Sequence, residues 1–186
     1  MTEIEEIVAN LRTAAASRDD DAVEMWIGQL DLCHDEVQWP SELYEHVKGL
    51  LADAQVLSIG TSWHLAKFVS ASWDEITEEQ RQGLAPIWPV VFDRFADWMG
   101  AFVIAEILGE RYANDDAFRE LDQLSRTARM PHRALAAYGL GCLGRTVDGP
   151  LRERATARLR ELAKDSEADV SEEASEALRK LDTRRA

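Results

Sequence analysis

Apolar residues along this chain recur at intervals of three and four, the period of an α-helix, and no stretch alternates polar and apolar residues for long enough to read as a strand. The pattern predicts ten helices. The first runs from about Thr2 to Ser17 and the second from Asp19 to about Asp35, with Asp19, Asp20 and Asp21 at its start, where the helix dipole favours negative charge. Trp39-Pro40-Ser41 breaks the chain, and Ser41 is placed to cap a third helix that holds Leu43, Val47, Leu50 and Leu51. A fourth runs from about Thr61 to Glu75. Thr77 followed by Gln80 has the spacing of a capping box for the fifth, which Pro86 and Pro89 should kink or split. The sixth spans about Asp97 to Arg111. Asn114-Asp115 opens the seventh, Pro131 the eighth and Gly149-Pro150 the ninth. The tenth starts near Asp169 and ends near Leu181, leaving a tail from Asp182 that should fray.

The even-numbered helices share a trio of apolar or small residues at i, i+4 and i+7. These are Trp26/Leu30/Cys33, Val69/Trp73/Ile76, Ala101/Ala105/Leu108, Ala136/Leu140/Leu143 and Ala174/Leu178/Leu181. They recur roughly every 40 residues with two helices per unit, the spacing of a helical-hairpin repeat. PHRALAAYGLGCLGR, from Pro131 to Arg145, resembles the second helix of a HEAT repeat, and so does DVSEEASEALRKL, from Asp169 to Leu181. Both place small alanines where helices touch and close on leucine. The resemblance covers roughly Asp115 to Leu181 and implies a right-handed α-solenoid, here of about five hairpins, in a single domain over residues 1–186. HEAT-like proteins mostly bind other proteins, so the resemblance implies a protein partner and transfers no catalytic residue. Residues 1–110 depart from the family, with all six tryptophans in place of small and aliphatic packing. The alternative architecture is an irregular helical bundle, because i, i+4, i+7 is also the signature of any amphipathic helix.

Charge sharpens the division. The formal net charge is −14. Residues 1–110 hold 21 Asp and Glu against 6 Lys and Arg, whereas residues 111–186 hold 14 against 15. An acidic surface repels a phosphate backbone, so nucleic-acid binding is disfavoured, and with it a HEAT-like DNA glycosylase, which needs a basic concave face. A basic protein would be drawn in and its approach accelerated. The competing explanation is that acidity only keeps the chain soluble. No stretch approaches the roughly 20 apolar residues of a membrane span, and the acidic N-terminus does not read as a secretory signal, so a cytoplasmic location is expected.

Candidate chemistry is sparse. The sequence has no HExxH, nucleophile elbow, phosphate loop or dinucleotide fingerprint, and Cys33 and Cys142 belong to no CxxC pair. Neither catalytic residue, metal site nor cofactor is expected. Lone intracellular thiols usually pack as small hydrophobes, and His34, His46, His64 and His132 read as surface or capping residues. At 100° per residue, Trp63 projects about 120° from the core direction of its helix, which makes it either a partly exposed anchor or a packing residue. The same projection puts Asp20, Glu24, Asp31 and Asp35 opposite the core of the second helix, Asp74 with Trp63 on the fourth, and Glu106 and Glu110 with Phe102 on the sixth. In a solenoid the second helices of the hairpins line one concave surface. These nine residues would then form an acidic groove with aromatic anchors, against the alternative of ordinary solvated helix faces. The expected function is a non-catalytic protein-binding module. Its specific form is an immunity- or antitoxin-like inhibitor of a basic toxin such as a nuclease, with a generic adaptor or assembly scaffold as the alternative.

Overall fold

The computed structural model describes residues 2–33 and 38–183. It is all-helical, with 79% helix and no strand among the described residues. The helices are α1 (Glu3–Ser17), α2 (Asp20–Leu30), α3 (Ser41–Leu51), α4 (Ala54–Leu57), α5 (His64–Ala71), α6 (Glu78–Leu84), α7 (Ile87–Val91), α8 (Trp98–Glu106), α9 (Asp115–Thr127), α10 (His132–Thr146), α11 (Gly149–Leu162) and α12 (Ala168–Thr183). Short 3-10 turns cover Gly60–Trp63 and Trp73–Glu75, and a π-helical turn covers Ile107–Tyr112. The chain divides into two compact units, Met1–Gly100 and Ala101–Ala186.

Local chemistry sets most helix starts. The hydroxyl of Thr2 accepts from the backbone N–H of Glu5, whose carboxylate accepts from the N–H of Thr2, so a capping box opens α1. Asp19 caps α2 at 3.0 Å, Thr77 and Gln80 complete the capping box of α6, and Asn114 caps α9 at 2.8 Å. The third helix begins without the expected cap: Ser41 is its first residue, and Pro40 stands at the cap position with no side-chain bond.

In the first unit, α1 packs against α2, α3 and α4, and α2 packs against the 60–63 turn and α5. Leu11, Val23, Leu30, Val47, Leu50, Leu65 and Val69 are all fully enclosed. The second helix differs from its predicted form. It ends at Leu30 rather than near Asp35, and its buried stripe is Val23, Ile27 and Leu30, while Trp26 and Cys33 are only half-buried. An i, i+3/i+4 series exists on either side of Trp26, and burial selected the smaller aliphatic set. The fourth predicted helix is split by the two 3-10 turns around α5, so Val69, Trp73 and Ile76 are all buried but not on one helix. Helix α4 has only one turn and falls where no helix was predicted. The fifth divides at Pro86, and Pro89 is tolerated in the first turn of α7, where a proline removes no intrahelical bond.

In the second unit, α10 packs against α9, the 107–112 turn, α11 and α12, and α9 packs on α11. The trios Ala101/Ala105/Leu108 and Ala136/Leu140/Leu143 are buried, as are Ala174 and Leu181, while Leu178 is half-buried. Ion pairs cross from α11 to α9: Arg158 meets Asp122 at 2.8 Å, and Arg154 meets Asp115 while lying 4.3 Å from the ring centre of Phe118. His132, expected at the surface or as a cap, is buried at the start of α10. No helix among the described residues is long and apolar enough to cross a membrane.

Candidate functional site

Five of the nine predicted site residues belong to the first unit and three to the second; Asp35 lies outside the described residues. In the first unit, α2 and α5 border an open groove of about 310 Å³, lined by Glu24, Ile27, Gly28 and Asp31 on α2 and the turn that follows it, and by His64, Lys67, Phe68 and Ala71 on α5. Glu24, Gly28 and Asp31 are spaced i, i+4, i+7, so they share one face of the helix path. Ile27 and Phe68 are buried and make the floor apolar.

The groove walls carry opposite charges. His64 Nε2 lies 3.4 Å from the carboxylate of Glu24, an ion pair when the imidazole is protonated. Trp63 adjoins the groove rather than lining it: its ring is 3.9 Å from that of His64, and Lys67 Nζ stands 5.6 Å from its centre. Trp63 is half-buried, between the two alternatives the sequence left open. Asp20 is exposed and faces the 60–63 turn, where its carbonyl accepts from the hydroxyl of Thr61 at 2.8 Å. Asp74 is exposed on the 73–75 turn and does not line the groove.

The three predicted residues of the second unit meet a different environment. Phe102 is half-buried and stacks on Tyr138, ring centres 4.8 Å apart. The Tyr138 hydroxyl donates to Glu106 at 2.7 Å, and burial followed by that bond pushes the phenol well above its ordinary range. Glu110 lies 3.6 Å from Arg145. Both carboxylates therefore have partners on α10, and a charge reversal there would disturb packing as well as surface potential.

The sequence reading missed Gly28, Ile27, His64, Lys67 and Phe68. A signal existed for the first two, since Gly28 interrupts a good helix and Ile27 lies on the helical period. For α5 no local signal could have shown which of its faces meets α2.

The two thiols differ in kind. Cys142 is fully enclosed, and burial pushes it up to about 12, with the Arg145 guanidinium opposing and Glu110 adding. Cys33 is half-buried and is raised by burial and then by Glu3. Since thiolate is the reactive form, iodoacetamide at pH 8 should label Cys33 slowly and leave Cys142 untouched until denaturant is added. Peptide mass spectrometry showing equal labelling of both in the native protein would contradict this placement.

Among the described residues, no group of three or more His, Cys, Asp or Glu side chains is arranged to hold a metal ion. No family model matches the sequence, and comparison with curated proteins and with solved structures returns no match.

Proposed function

We propose that this chain is a protein-binding module whose first unit engages a basic protein. The observation that carries the reading is the charge excess of that unit. Residues 1–100 hold 19 Asp and Glu against 6 Lys and Arg, so carboxylates outnumber cations threefold whatever the pairing. Residues 101–186 hold 16 against 15, and several of those pair across α9 and α11. A surface with that imbalance raises the local concentration of a cationic partner and speeds encounter. The groove between α2 and α5 supplies what charge alone lacks, an apolar floor with carboxylates at its rim.

The second unit supports a HEAT-like arrangement of two hairpins, α9–α10 and α11–α12. Its support is the packing of α9 on α11 and of α10 on α12, with Gly141 against Ala177 at the latter contact. In its most specific form the module is a cytoplasmic immunity- or antitoxin-like inhibitor of a basic toxin. Charge is the support for that form, and a toxin gene beside this one would strengthen it.

The test begins with a pull-down from the source cell and stopped-flow association with the captured partner. Asp20→Lys/Asp31→Lys should slow association about tenfold at low salt and flatten its salt dependence, since steering acts through screened charge. Folding should change by no more than about 0.5 kcal/mol, the usual range for surface substitutions. Trp63→Ala should act on dissociation instead, by about 2 kcal/mol for a true anchor. A partner indifferent to the charge reversal would leave the acidity a matter of solubility and overturn the reading.

A further inference from the structure

One wall of the α2–α5 groove already carries a basic side chain and an imidazole. His64 reaches across the groove to Glu24, and Lys67 lines the same wall. Between Glu24 and Asp31 the floor is open: a Cβ built on Gly28 would meet nothing within 4 Å. The floor around that opening is Ile27, Phe68 and Ala71. Such a space suits a flat cation on an alkyl stem, with the stem over Ile27, Gly28 and Phe68 and the head on Glu24. Arginine has both parts. Its guanidinium is planar, is more weakly hydrated than an ammonium and forks onto carboxylates. A lysine ammonium is a compact, strongly hydrated point charge that gains less from an apolar floor.

We propose that this groove is a socket for one arginine side chain of the partner, which enters over Gly28 and displaces His64 from Glu24. The proposal rests on the basic-partner reading above and adds what that partner inserts. Asp31, about 10 Å along from Glu24 at 1.5 Å per residue, strengthens the field at the far end of the groove. Lys67 on the facing wall disfavours a second cation, so a single arginine fits better than a polybasic run.

The experiment is an NMR titration of the whole chain with capped pentapeptides Gly-Gly-Xaa-Gly-Gly, where Xaa is arginine, lysine or the neutral isostere citrulline. The arginine peptide should shift the Gly28 amide and the His64 ring. It should bind at least fivefold tighter than the lysine peptide, and citrulline should not bind. Gly28→Leu fills the opening and should abolish the shifts. Glu24→Gln, an exposed substitution that leaves folding intact, should weaken binding at least tenfold, and His64→Gln should tighten it by removing the imidazole that competes for Glu24. Arginine shifts centred elsewhere, or unchanged binding in both Gly28→Leu and Glu24→Gln, would overturn the socket. In that event a captured partner whose association still responds to Asp20→Lys/Asp31→Lys leaves the basic-partner reading standing, so the two failures are separable.

Discussion

Gly109→Ala is expected to destabilise the protein by about 2 kcal/mol or more, although alanine is the better helix former. In the π-helical turn the backbone of Gly109 lies directly against α10. A Cβ there would sit 2.4 Å from the carbonyl oxygen of Gly139, 2.7 Å from Cys142 Cβ and 3.0 Å from the backbone nitrogen of Leu143. Two of these three atoms belong to the backbone of a helix packed on several neighbours, so relief requires moving α10 itself. Overpacking of this kind costs about 3 kcal/mol at the upper end of its usual range, and the helix propensity gained returns about 1. Gly28→Ala is the control. It is a helical glycine with open space around it, and it should stabilise by about 0.5–1 kcal/mol. Thermal melts should therefore move in opposite directions, with Gly109→Ala lowering Tm by about 4 to 8 °C. Equal shifts of the same sign would mean that propensity, and not the close approach of two backbones, decides these positions.

Trp39→Ala should destabilise the protein by about 3–5 kcal/mol, the cost of truncating a fully enclosed tryptophan. Trp39 is 2% exposed and stacks on Phe68, ring centres 4.8 Å apart and planes 22° from parallel. Its backbone N–H also donates to the carbonyl of Glu75 at 3.0 Å, tying the segment before α3 to the turn that follows α5. Truncation removes the indole volume and leaves a cavity beside Phe68, which itself forms the floor of the groove. The same variant should therefore weaken arginine-peptide binding as well as stability. Trp39→Phe keeps a ring to stack on Phe68, and so should recover most of both. A denaturant midpoint unchanged by Trp39→Ala would mean that the segment packs differently from the structure.

Trp39 also shows where sequence reasoning stops. Beside Pro40 it reads as part of a chain break, and it is one; proline fixes the backbone and denies a helix through that point. Nothing local says that the residue next to the break is among the largest enclosed side chains of the unit. One ring that covers it is Phe68, almost thirty residues on.

The same contrast runs through the candidate site. Helical class, most helix starts and the charge excess of the N-terminal half were legible in the sequence, because each depends on near neighbours: period, caps and composition. Thr77 with Gln80 and Asn114 with Ala117 are such cases. The second helix starts where the sequence puts it but ends at Leu30 and is rotated. Trp26 and Ile27 both fit an i, i+3/i+4 stripe, and only the surface offered by α1 and α5 decides that Val23, Ile27 and Leu30 go inside. That rotation adds Ile27 and Gly28 to the groove beside Glu24 and Asp31, which the projection already put on that face. Likewise, projection on a single helix put Glu106 and Glu110 on an exposed face, and packing with α10 gave them Tyr138 and Arg145. The sequence by itself determined an all-helical chain with its negative charge concentrated toward one end, since backbone period and formal charge are local properties. Only the tertiary structure decided which acidic residues border an open apolar floor and which are held by a neighbouring helix, because that depends on side chains distant in sequence arriving at the same place.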